Sequence, residues 1–182
     1  MREVVLARRV FNAYRKRIDE LPVDLVTICR ALRFVAVRST KLPGFDGCHL
    51  RFDTSGRTLI LLNSNMCHCR KRFTLAHEIG HILLGHLPAQ LQGGSIVEAR
   101  HAWQEAEANR FASELLMPLP ALKKFGMLTV EGIAQVFDVS PAAARIKARQ
   151  LGWEDETARK YGKAQVEADL DRMFGPRRAA AP

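Results

Sequence analysis

The sequence has no run approaching the roughly 20 apolar residues that a membrane-spanning helix needs. Its opening, MREVVLARRVFNAYRKR, lacks the apolar region and small-residue cleavage site of a secretory signal. No membrane association is expected, and the cytoplasm is the expected location. Cysteine is scarce, with four residues at Cys29, Cys48, Cys67 and Cys69, and in a reducing compartment these are expected as free thiols. Cys67-His68-Cys69 could form half of a metal site, but such halves have wider spacing and no second half is visible. An extra metal or redox role for that triplet stays open. Acidic residues are also short, 19 against 28 Lys and Arg, for a formal charge of +9. This excess permits a nucleic acid or an acidic protein as partner, or is simply a solvated basic surface. No internal repeat is visible.

What is present reads as an ordinary globular chain. Its 182 residues are 47% hydrophobic and 26% charged, enough for one domain and an appended subdomain. Helical spacing of Val5, Leu6, Val10, Ala13 and Tyr14 predicts a helix over 2–19, and Pro22 and Asp24 open a second over 24–32. Strands are expected over 34–37, 48–52 and 58–62, the last two joined as a hairpin through DTSGR, with the loop STKLPGFDG after the first. Helices follow over 72–87, 98–117, 129–137 and 140–151, then a polar tail helix over 154–173. The expected fold is α+β, a small antiparallel three-stranded sheet packed on a helical core. Its divisions are an N-terminal helix (1–20), a main domain (21–118), a helical subdomain (119–153) and a tail (154–182).

The stretch RFTLAHEIGHILLGH, residues 72–86, poses a physical problem. It reads as a buried apolar helix, yet it carries His77, Glu78 and His81. Burying unpartnered polar groups costs about 2–7 kcal/mol each. His77 and His81 lie one turn apart on one face, about 6 Å along the axis, so both imidazoles can hold one zinc ion. Glu78 between them can reach a water at that metal. Gly80 lets another backbone approach the helix closely.

A catalytic zinc takes three protein ligands and leaves one position open. Candidates for the third lie in EARHAWQEAEANRFASELLMP. At about 100° per residue, Ala108, Phe111, Ala112, Leu115 and Leu116 form an apolar face, with Glu105 beside it. Glu107 falls with Arg110 and Glu114 on the opposite side, where a solvated charge is expected. Glu105 is therefore the favoured ligand, with His86 and His101 as alternatives. Asn109, one turn after Glu105, is placed to orient a ligand histidine by a hydrogen bond.

RFTLAHEIGHILLGH followed by EAEANRFASELLMP resembles the ImmA/IrrE family of metallo-endopeptidases. The similarity extends from LPVDLVTICRALRF to VEGIAQVFDVSPAAARIKARQLGW, about residues 20–152. It implies a zincin-like core of gluzincin type, in which His77, His81 and Glu105 bind Zn2+ and Glu78 is the general base. It also implies cleavage of a specific protein target, a helix-turn-helix repressor of a mobile element or stress response. By analogy with zincins, a substrate peptide would add to strand 58–62 as an edge strand.

Residues 130–151 resemble a helix-turn-helix, with Ser140 as N-cap, Pro141 in the first turn and Gly152 at the stop. The second helix carries Arg145, Lys147 and Arg149 but opens Pro141-Ala142-Ala143-Ala144, which offers no side-chain hydrogen bonds to base edges. Protein contact or packing is expected there, and any DNA binding should be weak and non-specific. The competing reading is a DNA-binding or scaffold regulator whose zinc site is sensory or vestigial. The intact Glu78 favours chemistry, because a structural metal site has no need of a base.

Overall fold

The computed structural model describes residues 1–14, 21–32, 35–52, 57–93, 95–97, 99–124 and 129–153. The chain forms two compact units, Met1–Pro118 and Leu119–Pro182. Among the described residues, no helix is long and apolar enough to cross a membrane. The expected tail helix over 154–173 and the end of the first helix lie outside the described residues.

In the first unit, α1 (Arg2–Tyr14) and α2 (Leu25–Ala31) precede the sheet. Asp24 caps α2, its Oδ1 accepting from Val26 N at 2.9 Å and Thr27 N at 3.1 Å. The strands are β1 (Val35–Thr40), β2 (Gly47–Phe52) and β3 (Arg57–Asn63). Their order is β1-β3-β2, with β1 parallel and β2 antiparallel to β3. The sheet is thus mixed, not antiparallel as expected. The cause lies in the loop after β1. Asn63 Nδ2, at the end of β3, donates to Leu42 O at 2.8 Å and to Phe45 O at 2.9 Å. This ties the loop across the end of β3 and sets β1 and β2 on either side of it. The alternating burial of β3, with Thr58, Ile60 and Leu62 inside, suits a central strand.

That order also corrects the expected substrate edge. Strand 58–62 belongs to β3 and is paired on both sides, so no peptide can add to it. The free side of β2 is itself partly taken, because Ala89 N donates to His49 O at 2.9 Å.

α3 (His68–Leu84) begins a turn earlier than expected and ends at Gly85, which adopts φ 74°. A short hairpin, β4 (Gln90–Gln92) with β5 (Ser95–Val97), was not anticipated; it delays α4 (Ala102–Leu116). α3 and α4 pack against each other at Gly80. A Cβ there would lie 2.8 Å from Phe111 Cδ1, so the absent side chain admits a ring of α4, not a backbone. Around this contact Ala76, Ile79, Ala108, Phe111, Ala112 and Leu115 are fully buried.

α1 packs along the other side of α4, and this overturns the expected solvent-facing stripe. Arg8 Nε meets Glu114 at 2.7 Å, Arg110 Nε meets Glu3 at 2.7 Å, and Arg2 meets Glu107 at 3.5 Å. Glu3 and Glu114 are buried by these partners.

The second unit contains α5 (Leu119–Lys124), also unanticipated, α6 (Val130–Phe137) and α7 (Pro141–Gln150). Thr129 and Ser140 cap α6 and α7, each side-chain oxygen accepting a backbone N–H. On α7, Arg145 and Arg149 are exposed, whereas Lys147 is buried and so is no part of a basic surface.

Burial pushes the Glu3 carboxyl upward, but hydrogen bonds from the Met1 amino group and from Arg110 outweigh it, bringing the group from 4.5 to about 2. A carboxylate depressed in the folded state stabilises the fold above its unfolded value, and that contribution is lost as pH falls from about 4.5 toward 2. Glu3→Gln is expected to lower unfolding free energy at neutral pH and to flatten its decline across that window. Denaturant titrations at a series of pH values check this, and an unchanged acid slope would contradict it.

Candidate metal centre

The α3 helix projects His77 and His81 from successive turns, and their Nε2 atoms lie 2.9 Å apart. From α4, Glu105 places Oε2 at 3.2 Å from His77 Nε2 and Oε1 at 3.2 Å from His81 Nε2. Among the described residues, these form the one group of three His, Cys, Asp or Glu side chains placed to share a metal ion, with ligand atoms within 4.8 Å of one another. His81 is fully buried, while Glu105 retains 40% exposure and forms the wall of a cleft. Glu105 is thus less buried than the angular argument implied, although its carboxylate reaches both histidines.

The donor set fits zinc. Two imidazole nitrogens and a carboxylate oxygen are its usual ligands, and tetrahedral bonds of 2.0–2.1 Å imply ligand–ligand separations of about 3.3 Å. The two imidazole nitrogens are 2.9 Å apart and each lies 3.2 Å from a different oxygen of Glu105, and one atom from each of the three residues falls within 4.8 Å of the others, close enough to converge on one ion.

Behind each imidazole stands a partner. Asn109 Oδ1 lies 2.9 Å from His77 Nδ1, and an amide oxygen can only accept, so His77 donates. His86 Nδ1 lies 2.9 Å from His81 Nδ1, on the far side of the ring from Glu105, and His86 Nε2 reaches Glu107 at 3.1 Å. His86 is therefore behind a ligand histidine and does not join the ligand group. His101, the other alternative, is the N-cap residue of α4 and stacks on Trp103 at 6.3 Å. Glu107 is not a solvated charge, since both His86 and Arg2 reach it.

Glu78 is buried beside this group and engaged by two residues that the sequence did not single out. Arg100 grips it in bidentate fashion, NH1 to Oε1 at 3.1 Å and NH2 to Oε2 at 2.9 Å. His49 Nδ1, from β2, lies 2.9 Å from Oε2. Burial raises the Glu78 pKa, but the His49 hydrogen bond and the Arg100 charge prevail and hold it at about 2. His81 is also brought to about 2, by burial first and then by the Arg100 charge. Both groups are thereby fixed at neutral pH, Glu78 as a carboxylate and His81 as a neutral ring. Neither His49 nor Arg100 carried a sequence signal. One is an isolated ring in a strand and the other an arginine ahead of a helix, among many basic residues.

The group opens into a cleft of about 430 Å³, lined by Phe45, Phe73, His77, Glu78, Arg100 and Glu105 among others. Cys67-His68-Cys69 forms the N-cap and first turn of α3 and belongs to no such ligand group among the described residues.

A His-Glu-x-x-His helix and a carboxylate from the next helix thus meet beside an open cleft in a small α+β unit. Residues 34–149 match the IrrE N-terminal-like domain, a peptidase family, and the chain belongs to it. No curated protein matches the sequence. Among solved structures, a Mycobacterium tuberculosis transcriptional regulator is similar in fold, with a TM-score of 0.56 and 14% identity. The likeness covers 90% of this chain but 49% of that one, so this chain spans about half its length.

The Arg100–Glu78 pair is almost wholly buried, whereas Arg70 and Asp46 pair at the surface. Arg100→Ala leaves a buried carboxylate without its cation and is expected to cost about 3–5 kcal/mol of stability. Arg70→Ala should cost less than about 1 kcal/mol. Thermal and urea unfolding of the two variants compare them directly, and equal losses would contradict this account of the site.

Proposed function

We propose that the protein is a zinc-dependent endopeptidase that cleaves a specific protein target. The observation that carries this reading is the convergence of His77, His81 and Glu105 beside a buried, ionised Glu78 at an open cleft. Family membership supports a metal-dependent peptidase, and the donor chemistry supports zinc. When bound, zinc supplies Lewis acidity toward water and the peptide carbonyl.

The chain's own residues would then divide the work. His77, His81 and Glu105 hold the ion. Glu78 takes the proton of the attacking water and returns it to the leaving amine. A carboxylate has about four acceptor sites, and Oε1 of Glu78 engages one nitrogen of Arg100, so a water can still reach it. Arg100 and His49 keep the carboxylate ionised and aimed.

The likeness to ImmA/IrrE proteins supports a helix-turn-helix repressor as target. The second unit would then serve protein contact, because α7 opens with Pro141, Ala142 and Ala143 and presents only Arg145 and Arg149 of its basic residues. DNA binding would be weak, non-specific and sensitive to salt. A purely regulatory protein with a vestigial site has less support, since it would not need a carboxylate buried and ionised beside the ligand group.

Glu78→Gln is expected to keep metal, to lower stability because Arg100 loses its buried anion, and to lower cleavage of a co-expressed repressor by about 10²–10⁴-fold at a temperature where the variant is folded. Glu105→Gln is expected to lose zinc. Metal analysis alongside the cleavage assay checks both, and full proteolysis by Glu78→Gln would exclude it as the base.

A further inference from the structure

We propose that a groove between α1 and the end of α3 is a docking site for an acidic amphipathic helix of a protein partner, separate from the cleft.

A helix on the surface of a globular protein needs one apolar stripe, the one that faces the core. In α1 that stripe is Ala7, Val10 and Phe11, all buried. The same helix carries a second one. Arg2, Val5, Leu6 and Arg9 stand at i, i+3, i+4 and i+7 and so share a face. Leu83 and Leu84, from the last turn of α3, lie beside them, and these six residues line a groove of about 410 Å³. None of the six lines the cleft. Val5 is 49% exposed, while Leu6, Leu83 and Leu84 are half-buried in the groove. Single exposed apolar residues are ordinary, but four gathered around one concavity mark a binding surface. A recessed strip walled by helices takes a ridge of side chains, as a helix laid in a groove presents, better than it takes a flat lipid surface.

Charge selects the occupant. Both ends of the stripe are arginine, about 10 Å apart along the axis, and no acidic residue lines the groove. Arg9 is exposed and makes no ion pair among the described residues. Arg2 reaches Leu84 O and Glu107, each at 3.5 Å, which holds it at the groove while its side chain stays 63% exposed. The formal charge of +9 favours an acidic partner over a basic one from a distance as well. The complementary ligand is therefore a helix with carboxylates two turns apart and large apolar side chains between them. α1 lies outside residues 34–149, so this groove is partly built from chain beyond the family match.

Methyl NMR of the full chain, without metal, tests the proposal against a synthetic alanine-based helical peptide with Glu at i and i+7 and Leu at i+3 and i+4. Methyl shifts are expected at Val5, Leu6, Leu83 and Leu84. A counterpart with Lys in place of both Glu should bind about 5–10-fold more weakly, and added salt should narrow that gap. Arg9→Glu should lessen or reverse the preference and leave the melting temperature unchanged, because Arg9 is an exposed residue. Absence of shifts at these methyls, equal binding of the two peptides, or no effect of Arg9→Glu would overturn the proposal. Sedimentation decides the other occupants. A wild-type dimer that Arg9→Glu dissociates would assign the groove to a second copy. Loss of co-sedimentation with phosphatidylserine vesicles in Arg9→Glu, without peptide binding, would assign it to a lipid surface. Either result overturns the proposal, and none of these measurements depends on the metal reading.

Discussion

The close crossing of α3 and α4 at Gly80 is the constraint on which the rest depends. Phe111 presses on the helix where a side chain is missing, and a methyl group there would force the ring aside. Close to that contact, α3 carries His77 and His81, three residues before and one after Gly80, and α4 carries Glu105 and Asn109, six and two residues before Phe111. Close approach of the two helices is what turns a row of histidines on one and a carboxylate on the other into a group within 4.8 Å. α1 holds α4 from behind through Glu3–Arg110 and Arg8–Glu114, so the carboxylate-bearing helix is gripped on two sides.

Burial of so many polar groups in one place is sustained because most of them meet a partner from another part of the chain, although His49 Nε2 is buried without one. Glu78 of α3 is met by His49 from β2 and by Arg100 ahead of α4. His77 is met by Asn109, and His81 by His86. An unpaired buried polar group would cost several kcal/mol, and removal of one member exposes its partner to that cost. The site is therefore also a tertiary joint between the sheet and the two helices.

The loop between β1 and β2 links sheet and cleft. Asn63 pins it over the end of β3, and its residues Gly44–Gly47 form one wall of the cleft that His77, Glu78 and Glu105 line from the other side. With β3 central and the outer side of β2 engaged by Ala89, the cleft is bounded by loop and side chains and not by a free β3 edge.

Features governed by local periodicity were legible in the sequence. A helix repeats every 3.6 residues wherever it sits, so the common face of His77 and His81, and the shared side of Glu105 and Asn109, followed from spacing alone. Caps were equally local, as at Asp24, Thr129 and Ser140. What depends on distant neighbours was not legible. Glu107 and Glu114 look like parts of a solvated stripe until α1 brings Arg2 and Arg8 to them, while Arg110 pairs with Glu3 and stays half exposed, because an ion pair between helices leaves the same pattern as a wet surface. Strand β3 looks like an edge until β1 is placed parallel beside it, and that placement depends on Asn63 gripping a loop about 20 residues earlier in the chain. His49 and Arg100 become site residues only because the fold brings them to Glu78 from 29 and 22 residues away. Sequence determines the angle at which a side chain leaves its own element; only tertiary packing decides what it meets there.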